Sequence, residues 1–249
     1  LDEEETSRIE SEDDQTLIVV DVPVAEKQDE EKTIVYSTMP MAIISNNNFI
    51  ATVCLRENAV ITEISQGLVK NIQTHMRTHF LLSILLRIAT RFLQYLKQID
   101  KISYTTENLL MQNKELFQLL GLEKSLVYFS TSLKSNEVTL EKILRGRLIK
   151  LYDEDEELLE DVIIEVKQAI EMCSIYSNVL SNTMDAFASI ISNNLNIVMK
   201  VLTALTIVMA LPNVIFGMYG MNVEGMPMPY FWFAMLLAGL LMLVCMVIL

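Results

Sequence analysis

Two groups of residues in this 249-residue chain have the types and spacing to handle a cation. The first lies in and just before an uncharged stretch, residues 201–219. Asn196, Met199, Leu202 or Thr203, Thr206, Met209 or Ala210, Asn213 and Gly217 recur at three- and four-residue spacing, so a helix places them on one face. An amide or hydroxyl in so apolar a run is costly unless it faces protein or water. Two roles fit: hydrogen-bonding glue between packed helices, or the wall of a water-filled path. A second uncharged run, residues 230–249, carries no comparable polar residue, and Tyr230 and Trp232 stand at its start in an interfacial position. That asymmetry makes the second run the lipid-facing helix and favours a path lined by the first. The second group is "DEDEELLED", residues 153–161, where carboxylates crowd together without a base. Such a charge run is ordinarily a solvated face, yet Glu157, Glu160 and Asp161 share helical spacing. Between the apolar runs lies "GMNVEGMPMP", with Glu224 its one charge and no Lys or Arg.

These residues need elements to hold them. Half of the chain is hydrophobic (51%), yet its net charge is −13, a pairing that suits an acidic soluble part joined to an apolar part. Such acidity argues against nucleic-acid binding and suits a surface that handles cations. As helices, the two runs would each be roughly 28–30 Å long, the thickness of a bilayer core, so both are expected to be transmembrane; two buried core helices are the alternative. Lys200 precedes the first run and the hairpin is free of bases, so the positive-inside rule puts the soluble part and both termini in the cytosol and the hairpin outside. Two helices cannot enclose a water-filled path, so transport would require a homo-oligomer. Cys54, Cys173 and Cys245 are far apart and suggest no disulfide framework. The opening "LDEEETSRIE" lacks the apolar core of a signal peptide, and both ends of the chain are expected to be trimmed.

Residues 1–64 are expected to form a partial, strand-rich cytosolic domain. "TLIVVDV" (16–22), "TIVYSTM" (33–39), "MAIIS" (41–45), "FIATVCL" (49–55) and "AVITEI" (59–64) are short and β-branched. "ISNNNFIAT" has the turn chemistry of a hairpin. No proline falls between Pro40 and Pro212, which predicts long helix. Antiparallel helices of the cytosolic domain are expected over 65–152, one covering about 74–112 and another 114–148. A stalk follows over 153–200, with a stripe from Leu158 through Val162, Val166, Ile170, Cys173 and Val179 to Leu180. The remainder divides into a pore-lining transmembrane helix (201–219), an outer loop (220–229) and a second transmembrane helix (230–249).

Weaker signals stay open. His75 and His79 are four apart and would share a metal on a helix, or sit on a solvated or packed face. The methionines near the apolar runs suit copper, but also serve as filler of apolar surface. No phosphate-cradling loop, catalytic triad or metalloprotease motif is present, and nothing suggests an enzyme or an ATP-driven pump.

"YGMN" (219–222), behind a span that opens "NNLNIVMKVLT" (193–203) and contains Pro212, resembles the CorA family of magnesium channels. Gly220, Met221 and Asn222 match that family's Gly-Met-Asn signature, and Met226-Pro227 follows. The resemblance covers the whole chain. It implies an α+β cytosolic domain, a long helical stalk and two C-terminal transmembrane helices in a funnel-shaped homopentamer of a cell membrane, inner or plasma. By resemblance, Asn222 supplies a ring of amides as the outer selectivity site, with Gly220 and Met221 shaping the turn. Asn196, Met199 and Leu202 match the inner pore, Asp185 an acidic residue at its cytosolic mouth, and Asp161 a carboxylate that helps hold a regulatory ion between subunits. The segment 2–5 is the expected place for that carboxylate's partner. The sequence departs from the family in two ways: its proline lies one position later than in some members, and Asn213 stands where many have threonine. The family's basic C-terminal tail and most of its N-terminal strands are not in the sequence, as trimming would give.

The function this implies is passive Mg²⁺ uptake, with Mg²⁺ both transported and regulatory. Mg²⁺ gives up its water reluctantly, and amide oxygens accept hydrogen bonds from a hydrated ion without holding it too tightly to leave. Glu224 would raise the local cation concentration, or is an ordinary solvated loop residue. Two alternatives stand: a zinc, cobalt or nickel transporter of the same superfamily, and a membrane-anchored sensor or scaffold that conducts nothing.

Overall fold

The computed structural model describes residues 1–2, 5–12, 15–28, 33–46, 48–69, 72–107, 113–146, 149, 151–221, 228 and 230–248. They fall into two compact units, Leu1–Met184 and Asp185–Leu249.

The first unit is built on an antiparallel sheet in the order β1 (Arg8–Glu12), β2 (Gln15–Gln28), β3 (Thr33–Ser45), β4 (Ile50–Cys54). Alternation decides which face is buried. Ile18, Val20 and Val22 pair across the ladder with Ile43, Met41 and Met39, and all six lie in the core. The Asn-rich turn is a hairpin as expected: Asn46 Oδ1 accepts the N–H groups of Asn48 and Phe49, both at 2.8 Å.

The sequence reading missed β1 and broke β3 in two at Pro40. The register shows why the strand survives that proline. Asp21 opposes Pro40, and both backbone polar groups of Asp21 point away from β3, to the side chain of Asn136. The 21–40 pair is therefore not hydrogen-bonded, and the missing N–H of Pro40 faces the β4 side. There the β4 ladder begins only at Met41–Cys54, so no bond is lost.

A second correction concerns "AVITEI". It forms helix α1 (Ala59–Ser65), not a strand, because Asn58 caps it by accepting the Ile61 N–H at 2.9 Å. Glu63 on α1 then takes Arg87 and Arg91 of the next helix as ion-pair partners.

Three long helices complete the unit: α2 (Arg77–Glu107), α3 (Asn113–Gly146) and the first half of α4 (Asp153–Tyr219). Each buries one stripe: Leu82, Leu85, Ala89, Phe92, Leu96 and Ile99 on α2; Leu119, Leu122, Leu126, Phe129, Leu133, Leu140 and Ile143 on α3; Leu159, Val162, Val166, Ala169, Cys173 and Leu180 on α4. On the expected α4 stripe Val179 is instead 50% exposed. The α3 stripe has a polar member at Asn136. That amide accepts the Asp21 N–H and donates to the Asp21 carbonyl, both at 2.8 Å. It takes the place of a partner strand where β1 ends, at the Arg8–Val19 pair.

The second unit holds the end of α4 and all of α5 (Phe231–Ile248). Both helices are long and apolar enough to cross a membrane.

Candidate functional site

Helix α5 packs on one side of α4. Ile215 is buried against Ala234 and Ala238, with Tyr219 and Leu237 beside them. Val208, two turns below Ile215, is also buried. At about 100° per residue, the face of Val208, Ile215 and Tyr219 lies roughly 180° from the face of Met199, Thr206, Asn213 and Gly217. All the predicted path residues, Asn196, Met199, Leu202, Thr206, Ala210, Asn213 and Gly217, are exposed in the chain. The small residues of α5 explain this arrangement: Ala234 and Ala238 let the two backbones come close on one side only.

The hydroxyls on the exposed face are bonded locally. Thr203 donates to the Met199 carbonyl at 2.7 Å and Thr206 to the Leu202 carbonyl at 2.8 Å. Pro212 sits inside the helix without ending it. It has no N–H for the carbonyl of Val208, on the side that faces α5.

At the top of α4, Gly220 donates its N–H to the Phe216 carbonyl at 2.9 Å. Its backbone is not left-handed. What favours glycine there is space, since a Cβ would stand 3.2 Å from the Phe216 oxygen. Met221 follows, exposed. Asn222 and Glu224 lie outside the described residues.

The acidic run divides into two roles. Asp155 turns inward, is 3% exposed, and accepts the Tyr152 N–H at 3.2 Å, a reciprocal cap of α4. Glu157, Glu160 and Asp161 are exposed. Asp185, which opens the second unit, is also exposed. Among the described residues no three His, Cys, Asp or Glu side chains gather to hold a metal. A cation held by these carboxylates would need ligands from a second copy or from water. In the segment 2–5, Glu5 is engaged by Arg8, which holds its carboxyl below the usual range.

His75 and His79 do not share a helix face. His75 lies in the turn before α2, whereas His79 is on it. The Nδ1 of His79 is buried without a hydrogen bond, 3.8 Å from Asp155 Oδ1. The cysteines of the first unit are poor nucleophiles. Burial pushes the Cys173 thiol up to about 11 while its Sγ donates to the Leu126 carbonyl at 3.0 Å; burial also raises Cys54. Sequence reasoning did not find the seating of Ile215 on α5. Its signal was present as the small-residue spacing of Ala234 and Ala238.

Comparison with known proteins agrees with this architecture. Residues 1–249 match the family described as CorA-like Mg²⁺ transporter protein. The chain is 29% identical to the cobalt/magnesium transport protein CorA of Methanocaldococcus jannaschii, over 98% of this chain and 78% of that one. It superposes on the complete structure of the CorA magnesium transporter from that organism with a TM-score of 0.82 and 28% identity, covering 100% of this chain and 78% of the other. The full-length CmaX protein shares the fold at 16% identity, with a TM-score of 0.71 over 99% of this chain and 77% of its own. With the whole length matched and the sheet, long helix and paired apolar helices in place, the chain belongs to the family of CorA-like Mg²⁺ transporters.

Proposed function

We propose that this chain is one protomer of a homopentameric channel that admits Mg²⁺ to the cytosol down its electrochemical gradient. The observation that carries this is the polar face of α4, exposed and opposite the side packed on α5. Several copies, each turning that face to a common axis, would enclose a path that one chain cannot. Co²⁺, carried by name in the archaeal relative, is a second permeant ion.

In this mechanism the ion stays hydrated. The amides of Asn222 form the outer ring, in the loop 220–229 outside the membrane, and accept hydrogen bonds from the ion's water. Glu224 raises the cation concentration there. Thr206, Ala210, Asn213 and Gly217 line the span, and Met199 and Leu202 form an apolar neck that closes by dewetting. Asn196 lies below the neck and Asp185 at the cytosolic mouth. An inside-negative potential favours entry by about 4.6 kcal/mol per 100 mV for a divalent ion. Cytosolic Mg²⁺ at Glu157 and Asp161 bridges neighbouring subunits and holds the neck shut; its loss lets like charges repel and the neck open.

The test is flux in proteoliposomes of the full-length protein at low internal Mg²⁺, comparing Mg²⁺ with Zn²⁺ for wild type and Asn222→Ala. Mg²⁺ flux that the substitution abolishes is expected. Flux of Zn²⁺ alone would move the protein to zinc transport, and flux of neither ion would make it an anchored scaffold. For the regulatory site, Asp161→Asn is expected to weaken protection from proteolysis by Mg²⁺.

A further inference from the structure

We infer that Ile215 is a positioning residue: its side chain, seated on Ala234 and Ala238, sets the rotation of α4 and so decides which face is presented for conduction. This rests on the proposed channel function. Ile215 is 6% exposed, whereas its neighbours Val214 and Phe216 are 60% and 44% exposed, so of these three side chains it is the one that engages the second helix. Ala234 and Ala238 are each 4% exposed and are one turn apart, and Ile215 packs between them. β-branching leaves Ile215 essentially one rotamer in a helix, so it acts as a rigid peg. Tyr219 and Leu237, only partly buried, flank this contact. Among the described residues, α4 above Lys200 has only Val208 and Ile215 buried, and α5 only the two alanines.

A single-sided seat of this kind restrains rotation more than position. The flanks of α4 (Leu205, Ile207, Met209, Val214, Phe216, Met218) are apolar throughout, so the apolar surface they cover on neighbouring copies changes little with a small turn and does not select the angle. The peg does. Ile215 lies at roughly 180° from Gly217 and Met199 around the helix, so any turn it permits carries the conducting face off its axis by the same angle. Asn213, Thr206 and Gly217 then move together, with no change in their chemistry.

The experiment uses the full-length protein in proteoliposomes and single cysteines at two exposed α4 positions. Thr206→Cys is on the polar face; Leu205→Cys is on its flank. Labelling by a membrane-impermeant thiol reagent is compared with the chain carrying only its own cysteines, together with Mg²⁺ flux. In the otherwise wild-type chain, position 206 is expected to label and position 205 to stay unlabelled. Adding Ile215→Ala is expected to erase that contrast and lower flux. Ile215→Val, which keeps the branched peg, is expected to retain both. The size swap Ile215→Ala with Ala238→Ile is expected to restore the contrast lost in Ile215→Ala. Contrast that survives Ile215→Ala in folded, oligomeric protein would overturn the peg and leave the channel standing. Equal labelling of 205 and 206 without any change at Ile215 would overturn the channel face and this inference with it.

Discussion

Thr206→Asp and Val208→Asp place the same charge two residues apart on α4 and should behave oppositely. Val208 is 8% exposed and lies on the same side of α4 as Ile215. A carboxylate held in the span among apolar neighbours costs about 2.5–3.5 kcal/mol, a large part of the roughly 5–15 kcal/mol that holds an ordinary domain together. Thr206 is exposed on the polar face. In the proposed channel the new carboxylate there meets water, and the change should stay under about 1 kcal/mol. Its effect appears instead in conduction. At about 5 Å from a divalent ion in a water-like medium, one carboxylate attracts by roughly 1.7 kcal/mol. That lowers the half-saturating Mg²⁺ concentration by somewhat more than tenfold for each carboxylate the ion meets. The assay is recovery of oligomer and thermal midpoint in detergent, then the Mg²⁺ dependence of flux in proteoliposomes. Equal loss of oligomer in both variants, or a Thr206→Asp protein with unshifted Mg²⁺ dependence, would refute the placement of water along this face.

Gly217→Ala is expected to keep or raise the thermal midpoint, since its Cβ meets nothing within 4 Å in the protomer and glycine costs a helix about 1 kcal/mol relative to alanine. In the proposed channel flux should nevertheless fall, because the added methyl would narrow the path; unchanged flux would count against Gly217 as a lining residue. Asn136→Ala strands the N–H and C=O of Asp21, each worth about 1–3 kcal/mol when left without a partner. Denaturant unfolding of the solubilised protein should therefore show a loss of about 2–6 kcal/mol. Burial raises the Asp21 carboxyl above its usual 3.8, partly offset by a hydrogen bond from Ser132. The folded state then holds this proton more tightly than the unfolded one. Stability contributed by Asp21 is greatest below the unfolded value and declines as pH rises through the folded one. Asp21→Asn should thus be more stable than wild type at pH 7, with the gain vanishing in acid.

Much of the architecture was legible because it follows from period and length. The absence of proline from 41 to 211 and the three- and four-residue apolar spacing gave α2, α3 and α4 to within a few residues over the described part of the chain; the expected ends at 108–112 and 147–148 lie outside the described residues. The two charge-free runs located both apolar helices. What escaped was local chemistry acting at a distance. Pro40 looked like a strand break because the orientation of Asp21, set by an asparagine over a hundred positions away, is invisible in the neighbourhood of the proline. "AVITEI" looked like a strand because its β-branched residues favour one, while a single cap at Asn58 and the ion pairs of Glu63 favour the helix. In the candidate site, spacing alone grouped the polar face of α4, and the structure adds that α5 lies opposite it. Alternation of charge gave no hint that Asp155 turns inward while Glu157 and Asp161 stay out. That division depends on the backbone N–H of Tyr152, which no side-chain pattern records.

Thr203 and Thr206 each have one proton to donate, and each spends it on a carbonyl of its own helix. What these hydroxyls show outward is lone pairs. A chloride ion approaching them finds no hydrogen to accept, whereas the water around a cation finds acceptors. In the proposed channel, part of the discrimination between positive and negative ions is therefore built without any charged group, by the direction in which two hydroxyls point.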